Sequence, residues 1–370
     1  MKQLLYRLYA LFFCLGRLLP AKKNGVALIS PHHADFHDSL GEVKAALEEK
    51  GGYDILLIRG SDIRGGFHVK NMFRFFAVQP IKLARVKYIF LNDNFNPLAF
   101  CPLRRSTVVT QLWHGEGALK KIGLSLQLPP GIEAMERKLY RKYTYAVSSS
   151  EDVRFVHQAA FDLPKERVLP LGSPRTDSFF RPFDTAGERL KFDAAYPQCK
   201  GKKLVLYAPT FRDDARADSE LLSRFDGEAF REKFGGEYAL LVRLHPQVHG
   251  TGRVEGAVDV TDYPDIGTLL HLSDILITDY SSVFMDFVLL KKPCFFYAFD
   301  VEEYRKNRDF YGDYESTVPG PVARDFSELL RLLENPRADE ERQEVFCHYH
   351  LGACDGGATR RVLREVMGIS

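Results

Sequence analysis

From residue 25 onward, short apolar runs alternate with stretches of helical spacing. GVALIS (25–30), YDILLIRG (53–60), VKYIFLND (86–93) and STVVTQLW (106–113) read as strands. SLGEVKAALEEKGG (39–52) repeats its apolar positions at helical spacing and closes on glycines. MERKLYRKYTYAVSSS (135–150) predicts a basic helix running into a strand. Its Arg137, Lys138, Arg141 and Lys142 form either a solvated face or a face near anionic lipid. The segment 181–201 is mixed and polar, without strand alternation, and reads as a connector. A second series follows, with strands at KLVLYAPT (203–210), YALLVRLHP (238–246), DILITDYSS (274–282) and PCFFYAF (293–299), and a helix at VFMDFVLLKK (283–292). The tail from residue 326 reads as helical, with the loop CDGGAT (354–359) near its end.

This alternation predicts an α/β protein with parallel sheets covered by helices. The expected division is a helix in 1–23, a Rossmann-like domain over 24–180, a connector over 181–201, a second Rossmann-like domain over 202–350 and a terminal helix over 351–370. Two such domains are expected to leave a cleft. The polar motifs fall mostly at the carboxyl ends of strands, where open parallel sheets bind ligands.

The first twenty residues, MKQLLYRLYALFFCLGRLLP, carry an apolar or small run at residues 8–16, well short of the ~20 residues a spanning helix needs. Stepped at ~100° per residue, Leu4, Leu5, Leu8, Leu11, Phe12, Leu15, Leu18 and Leu19 share one arc of about 140°. Lys2, Gln3, Arg7 and Arg17 lie opposite, and Lys22 and Lys23 follow. The pattern predicts an amphipathic helix in a membrane interface. Its rival is a helix packed on the protein's own core. A secretory signal is disfavoured, because no small-x-small cleavage site follows and Arg17 interrupts the run.

The 370 residues suffice for two cores, and 45% hydrophobic with 27% charged residues is ordinary globular usage. A net charge of +2 supplies no field for nucleic acid, so no nucleic-acid partner is expected. Cys14, Cys101, Cys199, Cys294, Cys347 and Cys354 form no CxxC pair, which argues against zinc and a disulfide scaffold and for a reducing compartment. P-loop, GxGxxG, HExxH and GxSxG signatures are absent from the sequence.

Four motifs carry candidate chemistry. In QLWHGEGALKKIG (111–123), glycines allow close approach of backbone to ligand and His114 can accept a proton near neutral pH. Lys120 and Lys121 can neutralise phosphate, and Trp113 and Glu116 are further acceptor or phosphate contacts. For His114 the plainer reading is a structural histidine. In APTFRDD (208–214), Thr210 and Arg212 project from a strand end, and arginine suits bidentate phosphate recognition; the alternative is a turn with a surface ion pair. In RLHP (243–246), Arg243 and His245 share one side of a strand that Pro246 ends, where both can face a donor's diphosphate and Arg243 is a donor-binding candidate. His245 can assist a leaving group or hold a donor, or can simply pack at the sheet end. In TDYSSVFMDF (278–287), Asp279 ends a strand and Ser281 and Ser282 begin a helix, either to offer N–H groups to phosphate or to cap it. Asp286 lies one turn on. PHHADFHD (31–38), with His32, His33, Asp35, His37 and Asp38, has a metal-like composition but reads better as an acceptor contact or a polar loop. No cofactor is required, and nothing in the sequence calls for a divalent metal.

These four motifs, in this order, resemble the CDP-glycerol glycerophosphotransferase family of teichoic acid biosynthesis. STVPGP (316–321) and DGGATR (355–360) look like the family's closing segments, and the resemblance runs from about residue 80 to the end. It implies a two-domain, glycosyltransferase-B-like fold with the donor held by the carboxyl-terminal domain and the acceptor by the amino-terminal one. It further implies attack of an acceptor hydroxyl on the β-phosphorus of a CDP-polyol, with loss of CMP. By motif, His114 would be the base, with His245 the second essential histidine. His245, Thr210, Arg212, Asp279, Ser281 and Ser282 would bind the donor's diphosphate and glycerol end. The loop form WHxxGAxKK and the chain length look like the shorter priming enzymes, whereas many polymerising members read Trp-His-Gly-Thr-Pro there. The implied partners are CDP-glycerol, a lipid-linked (undecaprenyl-diphosphate) saccharide and, through residues 1–23, the cytoplasmic face of the plasma membrane. A polymerase, a ribitol-phosphate transferase and a nucleotide-sugar glycosyltransferase are the alternatives, and a catalytically silent membrane scaffold is the non-enzymatic one.

Overall fold

The computed structural model describes residues 2–32, 36, 38–64, 69–212, 215–245, 248, 253–307 and 309–369. His33, Asp35, His37, Asp213, Asp214 and Pro246, singled out above, lie outside them. The chain divides into two compact units, Met1–Phe180 with Tyr349–Ser370, and Arg181–His348.

The first unit is built on a parallel sheet of β1 (Gly25–Ser30), β2 (Asp54–Arg59), β3 (Tyr88–Leu91), β4 (Val108–Gln111), β5 (Tyr145–Val147) and β6 (Val168–Leu169), in the order β2-β1-β3-β4-β5-β6. β1 and β3 are buried at every position, as parallel strands covered on both faces must be. Val26, Leu28, Tyr88 and Phe90 meet the helix Ser39–Lys50 and the terminal helix Ala358–Met367 on one face, while Ala27, Ile29, Ile89 and Leu91 belong to a core cluster on the other. Asp177, itself buried, receives the N–H groups of Ala358 and Thr359 at 3.0 and 2.8 Å, so it caps the terminal helix.

The amino-terminal segment is helical over Lys2–Arg17. Tyr9 and Phe13 point into the first unit's core at 0% and 1% exposure. Gly16 sits so close to the helix Gln79–Leu83 that an added Cβ would lie 2.5 Å from the Ile81 carbonyl. Arg104 closes the helix end, donating to the Arg17 and Leu19 carbonyls at 2.7 and 2.6 Å. The own-core reading is thus realised, but through an aromatic face. The leucine arc turns outward, with Leu4, Leu8, Leu11, Leu15 and Leu18 at 70%, 40%, 57%, 48% and 83% exposure. No helix among the described residues is long and apolar enough to cross a membrane.

The second unit repeats the plan with β7 (Lys203–Ala208), β8 (Tyr238–Val242), β9 (Val258–Asp259), β10 (Ile275–Thr278), β11 (Cys294–Tyr297) and β12 (Val322–Ala323), parallel throughout and ordered β12-β11-β10-β7-β8-β9. Where the sequence suggested a connector, the chain forms a helix, Thr185–Ala195, capped by Asp184. Only Phe192 of that helix is fully buried, so its apolar spacing is faint.

Candidate active site

In each sheet the strand order reverses at one point, between β1 and β3 in the first unit and between β7 and β10 in the second. Crevices outside the carboxyl ends of strands form at such switch points. Most of the candidate side chains collect there, in two separate clusters, one per unit.

In the first unit, β3 runs into Asn92 and Asp93, and β4 into Trp113 and His114. Asn92 donates to the Ser30 hydroxyl at the end of β1 (3.2 Å) and to Asp38. Trp113 adopts φ +59°, a conformation that bulky side chains avoid, and it turns the chain sharply off β4. Gln111 holds that turn: its Oε1 receives the Trp113 N–H at 2.9 Å, and its Nε2 donates to the Asp93 carbonyl (3.3 Å) and to Tyr143 Oη (3.1 Å). The Trp113 ring meets Phe161 edge-on at 5.4 Å and stacks on His114 at 4.4 Å.

His114 is 44% exposed at its side chain and has Nδ1 3.0 Å from the Asn92 carbonyl. A carbonyl only accepts, so the neutral ring carries its proton on Nδ1 and keeps the Nε2 lone pair free. Asp93 lies beside it, with Oδ2 3.7 Å from His114 Nδ1 and 3.4 Å from His32 Nε2. Close by, burial pushes the Glu136 carboxyl up, the Tyr140 hydroxyl opposes this through a hydrogen bond, and Asp93 adds to the rise.

Glu116, expected as an acceptor contact, points inward at 8% exposure and receives a hydrogen bond from Ser173 Oγ at 2.7 Å. Arg175 Nε lies 3.6 Å from the same carboxylate, and Arg175 Nη1 donates to the His114 carbonyl at 3.0 Å. Glu116 therefore anchors the arginine that steadies the loop. The loop is also pinned by the Gly117 N–H on Ser149 Oγ and the Ala118 N–H on His350 Nδ1, both at 3.0 Å. Lys120 and Lys121 are half-buried.

In the second unit, Asp279 follows β10 with 0% exposure and receives the Thr210 N–H at 2.8 Å and the Ser281 N–H at 3.2 Å. Arg212 bridges Asp279 (Nη1 to Oδ2, 2.9 Å), the Thr210 carbonyl (2.7 Å) and Asp300, which takes Nε and Nη2 at 2.7 and 3.1 Å. Its guanidinium carbon lies 5.2 and 5.4 Å from the ring centres of Tyr280 and Tyr304. Burial disfavours the charge, but the two carboxylates outweigh it and hold Arg212 more strongly protonated than usual. Expected as a phosphate ligand, Arg212 thus has its donors directed at protein acceptors. Thr210 Oγ1 is buried with no hydrogen-bond partner among the described residues.

β8 ends at Val242, so Arg243 and His245 are not strand neighbours on one face. Arg243 turns to the sheet edge and donates to the Val260 and Tyr263 carbonyls at 3.2 and 2.6 Å. His245 is exposed, 4.8 Å from the Phe211 ring. Ser281 Oγ receives the Val283 N–H at 3.4 Å, whereas Ser282 at the helix N-cap makes no side-chain capping bond. Asp286 is buried at 2% exposure. Among the described residues, no three His, Cys, Asp or Glu side chains group to hold a metal ion. The four sequence motifs do not include Asp93, Arg175 or Asp300. Asp93 and Asp300 close or follow strand runs, where a carboxylate at a strand end was the available signal.

Residues 11–368 match the family described as CDP-glycerol:poly(glycerophosphate) glycerophosphotransferase. A teichoic acid ribitol-phosphate primase of Bacillus spizizenii is 34% identical over 364 residues, covering 94% of this chain and 92% of that protein. A teichoic acid poly(ribitol-phosphate) polymerase of the same species is 31% identical over 95% of this chain, but the chain spans only 57% of its length. In structure the chain is similar to a variant of the wall teichoic acid polymerase TagF soaked with CDPG, with TM-score 0.80 and 21% identity over 98% of this chain and 93% of that one. That likeness shows a shared α/β fold with two parallel sheets.

Proposed function

Because the chain belongs to the CDP-glycerol:poly(glycerophosphate) glycerophosphotransferase family, we propose that it moves glycerol phosphate from CDP-glycerol to a hydroxyl of a lipid-linked (undecaprenyl-diphosphate) saccharide in wall teichoic acid synthesis, releasing CMP. The carrying observation is His114: its Nδ1 is turned onto the Asn92 carbonyl, and Nε2 has no partner among the described residues. In this reading Nε2 takes the acceptor hydroxyl's proton as its oxygen bonds to the β-phosphorus. The bond from that phosphorus to the bridging oxygen breaks, and CMP leaves with the electron pair. Such transfers depend mainly on positioning and charge stabilisation. His245, Thr210 Oγ1 and the Ser281–Ser282 turn contact the donor, with Lys120 and Lys121 as further phosphate contacts. Arg212 and Asp279 hold the two strand ends that present those groups. The outward leucines of the first helix, with Arg7, Arg17, Lys22 and Lys23, dock the enzyme on the anionic cytoplasmic leaflet.

The WHxxGAxKK loop favours addition of a single priming unit. A CDP-ribitol donor is the second reading, favoured by the two ribitol-phosphate relatives. The test is CMP release from CDP-glycerol and CDP-ribitol with a lipid-linked disaccharide acceptor. Acceptor-dependent release that falls by roughly 10²–10⁴-fold in His114→Ala supports the transferase and its base. Undiminished release by that variant overturns the role of His114, and folded enzyme inert toward both donors overturns the activity.

A further inference from the structure

We infer that Asp93 is a positioning residue of the transfer reaction, a carboxylate that stabilises the imidazolium formed when His114 takes the acceptor's proton. The inference rests on His114 being the base. Asp93 sits at the switch point of the first sheet, immediately after β3, and its side chain is only 20% exposed. Its two oxygens divide their work. Oδ1 receives the Asn94 N–H at 2.6 Å and fixes the turn, whereas Oδ2 faces His114 Nδ1 at 3.7 Å and His32 Nε2 at 3.4 Å. The Asn92 carbonyl already sets the His114 tautomer. What the carbonyl cannot supply is a full negative charge beside the ring once it is protonated.

The backbone ties the two residues together as well. Gln111 accepts from Trp113, next to the base, and donates to the carbonyl of Asp93. A single side chain thus couples the strained turn after β4 to the turn after β3. His32 Nε2, 3.4 Å from Oδ2, supplies the carboxylate with a second polar neighbour. A negative charge fixed in advance beside the ring stabilises the positive charge that develops there as the proton is transferred.

Asp93→Asn tests this, because the amide oxygen can still receive the Asn94 N–H while the charge is lost. The expected result is a fall in kcat of roughly 10–100-fold with an unchanged KM for the CDP-polyol, and partial recovery in Asp93→Glu. In a His114→Ala background, Asp93→Asn should lower the residual rate no further, since the charge acts through the ring. A wild-type kcat in Asp93→Asn overturns the inference, as does an undiminished effect in the His114→Ala background. If Asp93→Asn fails to fold, Asp93→Ser decides, since a hydroxyl oxygen can still receive the Asn94 N–H while the charge is lost: a folded enzyme with full kcat overturns the inference, and a reduced kcat that vanishes as an increment over His114→Ala supports it. Full activity in His114→Ala alone is a separate outcome, which removes the base reading on which this one stands.

Discussion

Acidification from pH 7 to pH 5 should weaken the first unit through two buried histidines. His350 is 4% exposed and His157 is 6% exposed. Burial pushes each down to about 4, and a backbone hydrogen bond at Val147 only partly opposes this for His157. In the unfolded chain both titrate near ~6.5. Below that pH the unfolded state takes up protons that the folded state refuses until about pH 4. Their stabilisation is therefore complete above ~6.5 and is lost as the pH falls toward 4. Between pH 7 and pH 5 each histidine accounts for about 2 kcal/mol, or about 4 kcal/mol together, against a typical total of ~5–15 kcal/mol. The loss reaches the candidate site directly, because neutral His350 Nδ1 receives the Ala118 N–H at 3.0 Å and a protonated ring cannot. The assay is urea unfolding followed by the fluorescence of Trp113, the chain's single tryptophan, which lies in this unit. His350→Asn retains an acceptor near the Nδ1 position without titrating. Its loss of stability between the two pH values should be smaller than that of the wild type by about 2 kcal/mol. An equal loss in the two proteins would refute the reasoning.

Three further perturbations separate framework from surface. Arg212→Ala strands Asp279 at 0% exposure, so urea unfolding followed by far-UV circular dichroism should register a loss of about 3–5 kcal/mol, and a loss below about 1 kcal/mol would contradict a supporting role. Replacing Leu4, Leu8, Leu11 and Leu15 together by serine should abolish sedimentation with anionic vesicles while leaving thermal stability unchanged, whereas Phe13→Ala, at 1% exposure, should cost about 3–5 kcal/mol. Retained vesicle binding in the serine variant would remove the leucine face from that role. Deleting the first nineteen residues is the poorer test, because it also strips Tyr9 and Phe13 from the core.

The central strands were legible because they are long enough to carry a signal. GVALIS coincides with β1, and the runs at 53–60, 86–93, 106–113, 203–210, 238–246, 274–282 and 293–299 each contain an observed strand. β6, β9 and β12 are two residues each, too short for any periodicity to mark them, and they form only because a neighbouring strand offers a ladder. The helix Thr185–Ala195 is unmarked in the sequence for a related reason, since its exposed Leu190 and single buried Phe192 give no continuous apolar stripe.

Local chemistry along the chain thus determined the α/β class, the central strands, and the family through four motifs read in order. The tertiary structure decided which side of each motif residue meets protein. It turned Glu116 inward to Arg175, committed Arg212 to Asp279 and Asp300, parted Arg243 from His245, and set Asp93 beside His114. It also faced Tyr9 and Phe13, rather than the leucine arc, toward the core. Partners such as Arg212 and Asp300 are 88 positions apart in the chain. Strand order alone brings such residues to one sheet end, and a pattern that repeats every two to four residues carries no information about it.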